Sequence, residues 1–158
     1  MDAATAERKM QRMAYEIVEN NIDATELILI GILDPGYILA KNIQGILAKI
    51  SSIKTICISL SVDKKNPGNI TLSEPMDFNN RSVIIIDDVS NSGKTMLYAL
   101  KPLLEFHPQK IQTLVLVERT HKAFPVNSDF VGLSLATTLQ EHIFVEVEGD
   151  QIRGAYLQ

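Results

Sequence analysis

The acids Asp87 and Asp88 follow the apolar run Val83-Ile84-Ile85-Ile86 and precede Val89 and the polar run Ser90-Asn91-Ser92-Gly93-Lys94-Thr95. Paired carboxylates accept hydrogen bonds well, and vicinal hydroxyls offer two donors. A polar loop that opens a helix presents backbone N–H groups to an anion. Ser92 and Thr95 can add hydroxyl donors, and Gly93 lets the backbone approach closely. A diol beside a monophosphate fits this pattern, which is the chemistry of a ribose 5-phosphate. The closing Gly93-Lys94-Thr95 also ends a nucleotide-binding P-loop. That motif, G-x-x-x-x-G-K-[ST], puts its first glycine at position 88, where this chain has Asp88. A carboxylate there repels the phosphate the loop should hold, so the P-loop reading fails.

These residues need a strand to carry the acids and a helix to follow the loop. "SVIIID" reads as that strand and "GKTMLYALKPLLE" opens as that helix, which Pro102 shortens or kinks. Upstream, Met10, Met13, Ala14, Ile17 and Val18 form one apolar helical face. "ELILIGIL" reads as a buried strand, "DPG" as a turn and "YILAKNIQGILAKI" as a helix. "KTICISLSV" reads as a second buried strand. Residues 63–80, with Pro67-Gly68 and Pro75, read as a long mobile loop or hairpin. "KIQTLVLVE" reads as a fourth strand, and "DFVGLSL" and "HIFVEVE" as short β runs. The alternation predicts an α/β fold with a parallel sheet between helices.

A chain of 158 residues with this composition predicts one domain, residues 1–158. No apolar run is long enough to span a membrane, and the lone Cys57 excludes an internal disulfide. Cys57 reads as a buried core thiol. The expected location is the cytoplasm. The net charge of -4 argues against a general nucleic-acid binder. His107 and His142 have no partner pattern, and no Cys/His metal-ligand spacing occurs.

"VIIIDDVSNSGKT" resembles the phosphoribosyl-pyrophosphate (PRPP) signature of type I phosphoribosyltransferases. "LILIGILDPGYILAK" has the shape of that family's pyrophosphate loop. "LVLVERTHKAFPVNSDFVGLSLATT" resembles one branch, the pyrimidine-operon attenuator proteins that double as uracil phosphoribosyltransferases. Arg119, His121, Lys122 and Pro125 fall on that branch's pattern. The resemblance covers residues 27–147.

The resemblance implies a type I fold with a small hood, and transfer of phosphoribosyl from PRPP to a nucleobase, uracil favoured. Asp87 and Asp88 would hold the ribose. Ser90, Asn91, Ser92, Gly93, Lys94 and Thr95 would hold the 5-phosphate. Gly31, Ile32, Leu33 and Asp34, with Lys64, would meet the pyrophosphate. Arg119, Phe130 and Val131 would meet the base. Mg²⁺ would arrive with PRPP, and no resident metal site is expected. A homodimer is implied. The branch binds RNA through a basic face on its dimer, but the scatter of Lys and Arg makes weak, salt-dependent RNA binding the expectation here.

Three departures stand out. The branch's pyrophosphate loop is basic, whereas this one reads Leu33-Asp34-Pro35-Gly36. Asp34 either caps the next helix or meets pyrophosphate through Mg²⁺. The branch's Tyr-Arg pair in the following loop is absent; Lys64 or Lys65 would replace it, or form a solvated basic loop. Purine-specific members place an Asp where Asn91 stands, and Asn91 is no base at neutral pH. A second function hypothesis therefore accompanies the enzyme: a PRPP- or nucleotide-binding regulator of pyrimidine metabolism with little or no turnover.

Overall fold

The structure, a computed structural model, describes residues 1–63, 65–136 and 141–158. Helix α1 (Ala3–Glu19) buries Ala6, Met10, Met13, Ala14 and Ile17, the apolar stripe read from the sequence with Ala6 added and Val18 only partly buried. Asp2 caps it by accepting the Thr5 N–H. Strand β1 (Glu26–Ile32) leads to α2 (Pro35–Ile50), then β2 (Lys54–Val62), β3 (Ile70–Leu72), β4 (Ser82–Ser90), α3 (Lys94–Ala99), β5 (Lys110–Arg119), β6 (Phe130–Leu135), β7 (Ile143–Glu148) and β8 (Gln151–Leu157).

Six strands form one sheet in the order β3-β2-β1-β4-β5-β6. All neighbours are parallel except β2 and β3. The fold is therefore α/β, a mostly parallel sheet flanked by helices. The central strands β1, β4 and β5 are almost wholly buried, as continuous apolar runs require. Strand β2 is only half-buried, because the short β3 alone lies beyond it. Cys57, on β2, is thus half-buried rather than a full core residue, and burial pushes its thiol pKa up.

Helices α1 and α2 cover one face of the sheet, packing on Leu27, Leu29, Ile84, Ile86, Leu114 and Leu116. The antiparallel β7–β8 hairpin adds Ile143, Ile152 and Ala155 to the same core. Helix α3 and the 3-10 turn Lys101–Leu103 cover the other face, over Ile28, Ile30, Ile85 and Val115. Pro102 lies in that turn, so α3 ends at Ala99.

Among the described residues of 63–80 the hairpin alternative holds. Strand β3 pairs back on β2, and Phe78 is fully buried, edge-on to Phe106 at 5.5 Å. No helix among the described residues is long and apolar enough to cross a membrane.

Candidate functional site: two strand-to-helix turns at the sheet's switch point

After β1 the chain builds the sheet outward through β2, then returns to place β4 on the other side of β1. The crevice beyond the carboxyl ends of β1 and β4 is the switch point, where open α/β sheets bind ligands. Two strand-to-helix turns flank it: β1–α2 and β4–α3.

In β4 the strand runs on through both acids to Ser90, further than its apolar residues alone indicated. Asp87 pairs with Val115 on β5 and is only 8% exposed. Its Oδ1 accepts the Asp88 N–H at 2.9 Å. Burial pushes the Asp87 carboxyl well above the ordinary carboxylate range, and the neighbouring Asp88 adds to the rise. Asp88 is half-buried.

Beyond Ser90, Gly93 takes a left-handed conformation with φ +83°. A Cβ there would lie 3.1 Å from the Phe124 carbonyl oxygen. Segment 122–124 braces this turn from outside: the N–H groups of Ala123 and Phe124 both donate to the Ser92 carbonyl, at 3.1 and 3.0 Å. Lys122 in turn is held by Glu118 at 2.7 Å, in a pair that is largely buried. Among the described residues, no acceptor within the chain meets the N–H groups of Asn91, Ser92 or Gly93. The Ser92 hydroxyl accepts weakly from the Lys94 N–H, at 3.3 Å. Asp87, Val89, Ser90, Ser92, Gly93 and Thr95 line a cavity of ≈ 60 Å³ here. That is about the liquid volume of two waters, room for one small polyatomic group. A larger cavity, ≈ 660 Å³, lies away from this crevice, between α1, α2 and the β7–β8 hairpin.

The β1–α2 turn is shorter than its sequence suggested. Gly31 and Ile32 belong to β1, within its ladder to β2. Only exposed Leu33 and Asp34 separate strand from helix, joined by a cis peptide. "DPG" is not a free turn: Pro35 and Gly36 are the first residues of α2, where proline is at home. Asp34 stands at the cap position, yet its side chain makes no capping bond. Gly36 is pressed onto β4; a Cβ on it would meet the Ile86 carbonyl oxygen at 2.8 Å and the Asp87 Cα at 3.0 Å. This contact draws the two turns together.

Residues expected to meet a base are placed differently. Arg119 ends β5, 3% exposed, and its Nε donates to Asn91 Oδ1 at 2.9 Å. Phe130 is 2% exposed, with its ring enclosed in the core under α1 and α2. The Val131 carbonyl accepts from Arg12 Nη2 at 2.9 Å, as does that of Gly132. The Phe130 ring is thus enclosed, and Arg12 engages the Val131 carbonyl. Lys64 lies outside the described residues. Lys65, His107, His121 and His142 are exposed. Sequence reasoning missed Arg12 as a partner of β6 and the bracing role of segment 122–124; both are contacts between residues distant along the chain or across a loop.

Among the described residues, no group of three or more His, Cys, Asp or Glu side chains converges to hold a metal. The strand-end carboxylates do fit a magnesium ion carried by a phosphorylated ligand, since Mg²⁺ commonly takes one or two carboxylates and completes its shell with substrate oxygens and water.

Residues 2–151 match the family described as the phosphoribosyl transferase domain. The chain belongs to that family. It is 33% identical over 157 residues to a bifunctional protein PyrR from Macrococcus caseolyticus, across 94% of this chain and 90% of that one. A bifunctional protein PyrR from Clostridium kluyveri is 32% identical over 156 residues, across 93% and 88%. These relatives put the chain in the attenuator branch of type I phosphoribosyltransferases. The hypoxanthine phosphoribosyltransferase of Trypanosoma cruzi shares the fold, with a TM-score of 0.77 at 15% identity over 85% of this chain and 79% of that one.

Proposed function

We propose that the β1–β4 crevice binds a ribose 5-phosphate unit and transfers it from PRPP to a pyrimidine base, uracil favoured, releasing pyrophosphate. The observation that carries this reading is the β4–α3 turn. An acid pair, Asp87 buried and Asp88 half-buried, stands beside a small cavity lined by unengaged backbone N–H groups and by hydroxyls. Asp87 and Asp88 accept hydrogen bonds from the ribose hydroxyls. The N–H groups of Asn91, Ser92 and Gly93, with the Ser92 and Thr95 hydroxyls, hold the 5-phosphate. Lys94 and Ser90 complete that turn.

In the reaction the bond between ribose C1 and the pyrophosphate oxygen breaks, and its electron pair leaves with pyrophosphate. The base nitrogen forms the new bond to C1 and loses its proton to solvent. Positive charge builds on the ribose ring between these events, and the acid pair below the ring stabilises it. Mg²⁺ bound with PRPP would neutralise charge on the departing pyrophosphate, and Asp88 is the carboxylate best placed to meet it. Arg119 acts on this site through Asn91 and holds the phosphate turn in register. The base subsite is assigned to the neighbourhood of Val89 and Arg119, since Phe130 is enclosed and the Val131 carbonyl is taken.

The reading places the protein in the cytoplasm as a homodimer, handling PRPP, a nucleobase and a nucleoside monophosphate. Kinship with proteins called bifunctional weakens the expectation against RNA that charge alone suggested. Radiolabelled PRPP with a panel of bases tests the proposal. Uracil should give UMP in a reaction that Asp88→Asn slows by about tenfold or more while thermal unfolding stays cooperative. A variant with a much lower Tm whose folded fraction still makes UMP at the wild-type rate would make Asp88 structural.

A further inference from the structure

Strand β5 ends on two charged residues, Glu118 and Arg119. Arg119 holds the β4–α3 turn through the Asn91 side chain. Glu118 pairs instead with Lys122, in the most buried ion pair among the described residues, with side chains 14% and 10% exposed. Both carboxylate oxygens are engaged. Oε2 accepts from Lys122 Nζ at 2.7 Å, and Oε1 accepts from the Ser134 hydroxyl at 3.0 Å. The cost of desolvating two charges offsets much of their attraction, so stability alone does not account for the pair.

Its position relates it to the β4–α3 turn. Glu118 stands in register between Ser90 on β4 and Ser134 on β6. In-register residues of neighbouring strands point to the same face, with the strands about 4.8 Å apart. Ser90 lines the ≈ 60 Å³ cavity. The Lys122 stem lies against the turn as well: a Cβ on Gly93 would be 3.7 Å from Lys122 Cδ. Residues 120–129 form no helix or strand. At one end the Thr120 N–H donates to the Leu135 carbonyl at 3.0 Å. At the other, Val126 packs on the core and the Asn127 carbonyl accepts from the Thr113 hydroxyl at 3.0 Å. Among the described residues, the polar links between those ends and the rest of the chain are the Lys122–Glu118 pair and the two N–H bonds to the Ser92 carbonyl.

We propose that Glu118 is a positioning residue of the β4–α3 turn: by fixing Lys122 it seats residues 122–124 on the Ser92 carbonyl, and so keeps the N–H groups of Asn91, Ser92 and Gly93 aimed together at one anion. This rests on the ribose 5-phosphate reading of that turn. Donors held in place before a ligand arrives lose less freedom on binding than donors the ligand must gather. The sign of the effect separates position from charge. Glu118 is itself an anion close to the phosphate cavity, so repulsion alone would make its removal tighten phosphate binding. A positioning role predicts the reverse.

Calorimetry of the full chain with UMP, and with uridine at millimolar concentration, reads the phosphate-dependent part of binding. Glu118→Gln keeps the shape of the side chain and removes the charge that holds Lys122. It should weaken UMP binding by about tenfold or more and change uridine binding by less than about twofold. Ser134→Ala, at an exposed position outside the crevice, removes one of the two bonds that orient the carboxylate, and decides the matter if Glu118→Gln does not fold. It should weaken UMP binding by about threefold, again with uridine unchanged. UMP bound by either variant as tightly as by the wild type, or more tightly, would overturn the proposal and leave the ribose 5-phosphate reading intact. Equal losses of UMP and uridine would do the same. Wild-type protein that binds UMP no better than uridine would overturn the reading of the turn, and the proposal with it.

Discussion

The β1–α2 and β4–α3 turns sit side by side, each joining a buried parallel strand to a helix. The β1–α2 turn spends most of its backbone donors within the protein and, among the described residues, leaves those of Asp34 and Gly36. The Leu33 N–H goes to β2, those of Tyr37 and Ile38 go to Asp34, and proline removes another. The β4–α3 turn leaves those of Asn91, Ser92 and Gly93 for something else, and is braced from behind by segment 122–124 and Arg119. The difference teaches that a helix start is not an anion site by position alone. What counts is whether local geometry has already used its N–H groups. In β4–α3 the left-handed Gly93 turns the chain so that they remain unused.

The largest expected effect comes from closing that turn. Gly93→Val puts a β-branched side chain at φ +83° and against the Phe124 carbonyl. It should cost about 1–3 kcal/mol of stability. It should also weaken UMP binding by about a hundredfold, since more than one charge-assisted hydrogen bond is lost at roughly 1.5–3 kcal/mol each. Thermal unfolding and calorimetry read the two effects separately. A variant with near-normal UMP affinity would mean that the turn's shape is not what binds.

A smaller, opposite effect on stability is expected at Asp87. Its folded pKa is raised, mainly by burial, so the folded state holds the proton more strongly than the unfolded chain. The favourable contribution is complete below the ordinary carboxylate range and is lost as pH rises toward the raised value. Asp87→Asn removes that loss and keeps an oxygen for the Asp88 N–H. Without ligand, the variant should gain Tm over the wild type as pH rises from acid to neutral. A gain of about 1 kcal/mol would read as roughly 2–4 °C for a chain of this size. With UMP the order should reverse, because the ribose hydroxyls lose a carboxylate acceptor. A variant less stable than wild type at neutral pH without ligand would assign Asp87 a structural role.

The smallest effect falls on the brace. Arg119→Lys keeps the charge but loses the Nε–Asn91 bond. UMP affinity should drop by roughly threefold to tenfold. Paired with Asn91→Ala, the two losses should come to less than their sum, since both remove the Nε–Asn91 bond. Additive losses would uncouple Arg119 from the phosphate turn.

Much of this was legible in the sequence, for local reasons. Asp87 to Thr95 are contiguous, so their types and order carried both the chemistry and the strand-to-helix geometry. Strands β1, β4 and β5 follow from continuous apolar runs, β2 from Ile56, Ile58 and Leu60 at alternate positions, and Pro102 marked the end of α3. Other features escaped because they depend on distant partners. The hairpin alternative for residues 63–80 allowed for a returning strand, but not for where it falls: β3 is three residues long and exists by pairing with β2. The β8 strand, with Gly154 at its centre, was not read as a strand at all; it forms by pairing with β7 across an irregular register. Pro35 looked like a turn residue but begins a helix. Phe130 resembled a base-stacking residue, yet α1 packs against β6 and its core encloses the ring; Arg12 reaches Val131 across 119 positions of sequence. Those contacts follow from where α1 lies, which no local pattern states.

The central claim is that the β4–α3 turn anchors a 5-phosphate. Calorimetric titration with UMP and with uridine, which differ only by that phosphate, tests it most directly. UMP should bind at least about a hundredfold more tightly, with the gap shrinking as salt rises. Equal affinities for the two, or binding of neither, would contradict the account.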